Sequence, residues 1–115
     1  MDGNNFAPFP HHKLEAFKVA LEFVRLINAT HIEDAENRKH ARGGARSCAR
    51  NLAEGAGRRS RADKRRIFSI AHGELTESVG SVEVDNAEGG CPDHELQAVY
   101  KVGSRLNAML TSLTR

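Results

Sequence analysis

Four stretches of this chain repeat apolar or small residues at alternating steps of three and four, the spacing that aligns side chains along one face of an α-helix. The last stretch is the cleanest. Leu96, Val99, Gly103, Leu106, Leu110 and Leu113 keep the alternation over six positions, as a heptad seam does. Phe68, Ala71, Leu75, Ser78 and Val82 carry it in the third stretch. Ala41, Ala45, Cys48 and Leu52 carry it in the second, with mostly small side chains. In the first, Leu14, Phe17, Leu21 and Val24 form the stripe, thickened by Ala20, Phe23 and Ile27. No segment alternates convincingly with period two, and Ser81-Val82-Glu83-Val84 is better explained by the helix around it. Helices that each hide one stripe must pack on one another, and short connections make neighbours antiparallel. The pattern therefore predicts an all-α, antiparallel up-down four-helix bundle.

Breaks in the pattern set the boundaries. After a leader at 1–12, helices are expected at roughly 13–29, 35–54, 61–88 and 93–113, forming one domain over 1–115. Gly55 and Gly57 are expected to end the second helix, one of them as a left-handed cap. Gly43-Gly44 costs that helix about 1 kcal/mol per glycine relative to Ala, so it must depend on its neighbours. Ser60-Arg61-Ala62-Asp63 reads as a capping-box-like start, with Asp in place of Glu or Gln. Gly89-Gly90-Cys91-Pro92 forces a turn, after which Asp93 can cap the fourth helix.

Composition narrows the class. Hydrophobic residues make up 39% of the 115, with five Phe, one Tyr and no Trp, so the core is expected to be mainly aliphatic. The start lacks a basic region followed by an apolar run, and no stretch approaches the roughly 18 apolar residues of a membrane span. A soluble, cytoplasmic protein without a membrane partner is the expectation. Two Cys without a C-x-x-C pair give no disulfide framework. Six His (11, 12, 31, 40, 72 and 94) show neither H-x-x-x-H nor H-E-x-x-H spacing, so neither a metal nor another cofactor is expected. Cys48 lies on an apolar stripe and reads as a small core residue, whereas Cys91 is open to an exposed or a buried placement.

Charge is segregated. Between Arg38 and Arg66 there are eleven Lys or Arg against two acids, a net of +9; the rest of the chain has six against thirteen, a net of −7. From Glu74 to Glu95 there are seven acids and no Lys or Arg. Arg38, Arg42, Arg46 and Arg50 form a ladder that drifts about 40° per step, starting beside the small-residue stripe and turning toward solvent. Arg58, Arg59, Arg61, Arg65 and Arg66 extend the positive surface into the third helix. Two readings follow. The arginines bind a polyanion, or they pair with carboxylates such as Glu74 and Glu77 within the chain or between subunits. For a polyanion, the missing Trp and scarce Tyr point to phosphate contacts with little sequence preference rather than base stacking.

The segment Ser47-Cys-Ala-Arg-Asn-Leu-Ala-Glu-Gly55 and its continuation Ala-Gly57-Arg58-Arg-Ser60 resemble the bacterial four helix bundle protein family, also called the 23S rRNA-intervening sequence protein family. The hallmark there is Ser-Ile-Pro-x-Asn-Ile-Ala-Glu-Gly. Ser47, Asn51, Ala53, Glu54 and Gly55 match it, with Leu52 for Ile; Ile70-Ala71-x-Gly73 with Glu77 is similar to a second family segment. Phe9-Pro10-His11 and Ala108-Met109-Leu110 extend the likeness over nearly the whole chain. Ala49 stands where the family often has Pro, so an unkinked second helix is expected. Cys48, Gly43-Gly44, Arg46, Arg50 and Glu74 are further departures. The resemblance implies a compact up-down bundle assembled into a homopentameric ring and carries no catalytic site. It also implies a relation to accessory variability determinant proteins of diversity-generating retroelements, which bind a reverse transcriptase and nucleic acid through a basic surface.

The sequence thus points to a non-enzymatic oligomeric module. Arg42, Arg46, Arg50, Arg58, Arg59, Arg61 and Arg65 are its candidate contacts to RNA, DNA or a protein partner such as a reverse transcriptase. The alternative is a purely structural assembly whose arginine ladder pairs with neighbouring subunits. Ser47, Asn51, Glu54 and Gly55 read as structural, with Asn51 and Glu54 satisfying backbone groups near a helix end and Gly55 as the cap. Ser47 and Ser60 have no general base in a recognisable constellation.

Overall fold

The computed structural model describes residues 6–115, so the first five residues of the expected leader lie outside the described residues. A 3-10 turn at Pro10–Lys13 precedes four α-helices: α1 (Glu15–Ala29), α2 (Ala35–Ala56), α3 (Arg61–Ala87) and α4 (Asp93–Leu113). No strand occurs among the described residues. Connections of four or five residues turn the chain back after each helix. Both α1 and α3 pack against α2 and α4, which closes a four-sided bundle. Among the described residues no helix is long and apolar enough to cross a membrane.

The stripes of α2 and α3 are buried throughout, and that of α4 is buried from Leu96 to Leu110 with Leu113 partly exposed. The first helix is rotated from expectation. Its buried residues are Ala16, Val19, Ala20, Phe23 and Ile27, while Leu14, Phe17 and Val24 sit at the edge and Leu21 is exposed. The apolar arc of α1 is wide enough to hold two stripes, and the one that faces the neighbouring helices combines the small Ala16 and Ala20 with Val19, Phe23 and Ile27.

The closest packing is between α2 and α3. A Cβ on Gly44 would lie 2.7 Å from the Glu74 carbonyl oxygen and 3.1 Å from the Ser78 nitrogen. A Cβ on Gly55 would lie 2.7 Å from the Phe68 ring. One turn before Gly44 the Ser78 hydroxyl donates to the Ala41 carbonyl at 2.6 Å, entirely inside the protein. Gly55 is therefore a helix-crossing residue and not a left-handed cap. Helix α2 continues unbroken to Ala56, and Gly57 follows in a right-handed conformation, its N–H bonded to the Glu54 carbonyl at 3.1 Å. The positive-φ residue among those described is Gly89, at +90°, in the connection to α4.

The helix starts are held in different ways. The Ser60 hydroxyl accepts the Asp63 N–H at 3.0 Å, the N-cap half of a capping box, while the Asp63 carboxylate pairs with Arg58 and Arg66. Asp93 does not cap α4: Pro92 occupies that position, and the Asp93 carboxylate accepts the Asn86 amide at 2.7 Å instead. Asp34 caps α2 by accepting the Asn37 N–H at 2.9 Å.

Asp85 joins two connections to the body of the bundle. Only 1% exposed, its carboxylate accepts the N–H groups of Glu33 (2.8 Å) and Asp34 (3.0 Å) and the Asn37 amide (3.1 Å). Burial alone would raise its pKa, but these donors, with the Cys91 N–H, hold the carboxyl below its ordinary value. Gly90 is pressed against the same carboxylate, where a side chain would collide with it.

Two outcomes follow for stability. Gly43 has nothing within 4 Å of its Cβ position, so Gly43→Ala should raise the melting temperature through a gain of about 0.5–1 kcal/mol. Gly44→Ala should lower it, at a cost of about 1–3 kcal/mol, because backbone atoms cannot move aside. Differential scanning calorimetry of both variants reads the opposite signs. Asp85→Asn should cost about 3 kcal/mol at neutral pH. Since folding lowers the Asp85 pKa, its contribution is present above the ordinary carboxylate value and fades as pH falls through the lower folded-state value. Urea titrations from pH 7 to about pH 3 should therefore show wild type and variant converging in acid.

Candidate nucleic-acid interface

The small contact face of α2 leaves its opposite face free, and the arginine ladder lies along that edge. Arg38 begins beside the core, half-buried, and donates to the Ile32 carbonyl at 2.9 Å and the Glu33 carbonyl at 3.3 Å. It braces the α1–α2 connection. One, two and three steps further along, Arg42, Arg46 and Arg50 are exposed. Arg42 reaches the Asn28 carbonyl at 3.5 Å, and none of the three forms an ion pair among the described residues.

The remaining candidates divide. Arg58 is neutralised, donating to Glu54 at 3.0 Å and to Asp63 at 3.2 Å, and the Glu54 hydrogen bond and the Asp63 charge raise its pKa. Arg66 completes the group at 2.9 Å from Asp63, and its hydrogen bond is the main influence lowering that carboxyl's pKa. Arg65 donates to the Arg115 carbonyl at 3.3 Å. Arg59 and Arg61 are exposed and form no ion pair among the described residues. Lys64 donates to the Ala56 carbonyl at 2.8 Å and so closes the C-terminus of α2.

Apart from Glu74, the carboxylates of the acidic stretch are engaged elsewhere. Glu77 lies 3.3 Å from His40, Glu83 accepts the Tyr100 hydroxyl at 2.6 Å, and Glu95 accepts the His31 N–H at 2.7 Å. Arg46 borders a shallow depression with Glu74 and Glu77 but forms no ion pair with either. Pairing of the ladder with Glu74–Glu95 inside one chain is thus not what the fold does. The topology instead separates charge along the bundle. One end holds Glu33, Asp34, Glu36, Asp85, Glu88, Asp93 and Glu95; the other holds Arg50, Arg58, Arg59, Arg61, Arg65 and Arg66.

The motif residues have structural contacts. The Asn51 amide donates to the Ser47 carbonyl at 2.9 Å and hydroxyl at 3.2 Å, within α2 and not at its end. Glu54 serves Arg58, and Gly55 admits Phe68. Expectations for Asn51 and Glu54 as caps of free backbone groups are corrected by these contacts. Charge did not single out Phe6 and Phe9, which are exposed. In the sequence both stand outside every three-and-four repeat, and Phe9 belongs to the Phe9-Pro10-His11 segment of the family resemblance.

With this geometry in place, the comparisons are specific. The model of the family described as 23S rRNA-intervening sequence protein matches residues 13–112. No curated protein matches the chain.

Of the other reactive groups, both thiols are buried. Burial and the Glu74 charge push the Cys48 thiol up to about 12, and burial with Glu95, Asp85 and Asp93 raises Cys91. Neither thiol should react with a disulfide reagent at pH 8 in the folded protein, and both should react in denaturant. A rapid native-state reaction in a spectrophotometric thiol assay would overturn that placement.

Proposed function

Because the chain belongs to the 23S rRNA-intervening sequence protein family, whose description names no activity, we propose a role from the surface itself. The protein is a non-enzymatic, oligomeric interaction module that presents a basic surface to nucleic acid or to a nucleic-acid-processing partner such as a reverse transcriptase. One observation carries this reading: Arg42, Arg46, Arg50, Arg59 and Arg61 are exposed without a carboxylate partner among the described residues. Guanidinium groups on a rigid helix suit phosphate oxygens, and binding by phosphate contact carries little sequence preference. Arg58 and Arg65 contribute to the field of the surface, while their direct contacts lie within the chain.

A second reading, structural assembly, is favoured by the outer face of α3. Ile70 and Val84 are exposed there, and Gly73 and Gly80 have open space over them. Small residues on one helical face permit another helix to approach closely. A homopentamer is the assembly the family resemblance implies. Oligomerisation by α3 is compatible with nucleic-acid binding by α2, since the two use different surfaces.

Binding of labelled RNA and DNA across a salt series separates the readings. Affinity should fall steeply, on the order of 10³-fold between about 50 and 200 mM salt if six or more phosphates are neutralised. Changing Arg42, Arg46 and Arg50 to Glu should abolish binding and leave the mass in native mass spectrometry unchanged. Dissociation of the oligomer by the same change would assign the ladder to assembly, and no binding by wild type at low salt would remove nucleic acid from the function.

A further inference from the structure

Phe6 and Phe9 are 48% and 60% exposed, although Phe is ordinarily among the most buried residues. They are held in place. Pro10 opens the 3-10 turn, the Phe9 N–H donates to His12 Nδ1 at 3.0 Å, and the His12 N–H returns to the Phe9 carbonyl at 3.0 Å. The rings gather around His12, with centroids 5.9 Å away for Phe6 and 5.5 Å for Phe9. The His11 ring lies tilted 4.5 Å from His12 and edge-on 4.6 Å from Phe17, which fastens the group to α1.

The turn packs on both α1 and α2. Because α1 runs back along α2, the chain preceding α1 lies beside the C-terminal half of α2. That half carries Arg50 and leads into Arg58, Arg59 and Arg61. Exposed phenylalanines therefore lie at the same end of the bundle as the exposed Arg50, Arg59 and Arg61. Cations that hold the backbone, combined with rings on which bases stack, are the requirements of single-strand binding. The two phenylalanines supply what the missing Trp and lone Tyr do not.

We propose that Phe6 and Phe9 stack the unpaired bases of a single-stranded nucleic acid whose phosphates lie on the neighbouring arginines of α2 and the α2–α3 connection. This rests on the phosphate-binding reading of those arginines. It adds a preference: unpaired strands bind more tightly than duplex, with tolerance of base identity, because every base has a π-face.

The chain has no Trp, so Phe9→Trp introduces a single reporter at the proposed platform. A short oligothymidine should quench its emission at the concentrations where anisotropy reports binding, and a duplex of equal length should quench it less. Phe6→Ala with Phe9→Ala should weaken single-strand binding by roughly tenfold or more, leaving duplex affinity and the salt slope unchanged. Phe6→Trp provides an independent reporter, and thermal melting checks that each variant folds. Binding without quenching at either reporter, or equal losses for single strand and duplex, overturns the stacking proposal while the phosphate surface stands. Absence of binding by wild type at low salt overturns both. Quenching by a protein partner but not by oligonucleotide would assign the platform to protein recognition and likewise overturn it.

Discussion

Helix α2 lies against α3 at a distance set by backbone atoms, and much else in the molecule follows from that approach. Gly44 meets the Glu74 carbonyl and the Ser78 backbone, Gly55 meets the Phe68 ring, and Ala41 receives the Ser78 hydroxyl. With so little side-chain volume at the crossing, α2 buries only Leu52 and Cys48 as larger groups. Its intrinsic helicity is poor, since two adjacent glycines interrupt a sequence otherwise crowded with arginine. Tertiary packing supplies the stability that propensity withholds. The same economy of apolar residues frees the remaining faces of α2 for charge, which makes it a stiff carrier of guanidinium groups.

The connections at the opposite end solve a different problem. Five residues must turn α1 into α2, and their backbone N–H groups need partners where water is excluded. Asp85 supplies two acceptor oxygens to Glu33, Asp34 and Asn37 at once, while Arg38 donates to the carbonyls of Ile32 and Glu33. Acidic side chains concentrated there therefore have local work, as the pairing of Asn37 with Glu88 and Asn86 with Asp93 also shows. The segregation of charge along the sequence becomes segregation along the bundle axis because successive helices reverse direction at short connections. Basic residues clustered around one connection stay together at one end.

The legible part of this fold is the part governed by periodicity. In α2, α3 and α4 a single stripe dominates, and Ala41, Leu75, Val82, Val99 and Leu106 are buried where the spacing puts them. In α1 two stripes compete. Side-chain size favours Leu14, Phe17, Leu21 and Val24, whereas contact with two neighbouring helices selects the set containing Ala16 and Ala20. End chemistry was harder to read, because a glycine near a helix end has two uses. Gly89 takes the positive φ that a turn requires, while Gly55 remains helical and is small because Phe68 crosses it. Sequence distance cannot distinguish these, since the decisive partner comes from another helix. The arginine ladder was legible as geometry along α2. The division of the basic residues was not: Arg38 is braced by the Ile32 carbonyl, Arg58 is neutralised by Asp63 and Arg65 donates to Arg115, contacts that the helical spacing does not specify.

The leader sits at the basic end of the bundle, beside the C-terminal half of α2. A short segment ahead of α1 could have covered the core with its phenylalanines, as exposed Phe invites burial. Instead Pro10 and the reciprocal bonds between Phe9 and His12 shape a turn in which Phe17 receives His11 while Phe6 and Phe9 face solvent. The two exposed phenylalanines therefore lie at the end that also carries Arg50, Arg59 and Arg61, which form no ion pair among the described residues. At the far end Asp34, Asp85, Glu88, Asp93 and Glu95 accept from amides and backbone donors, and Glu33 and Glu36 pair with histidines. Two independent features of the fold, the direction of the charge gradient and the placement of the aromatic turn, converge on the same end. The convergence follows from topology: the chain enters α1 where α2 leaves for α3.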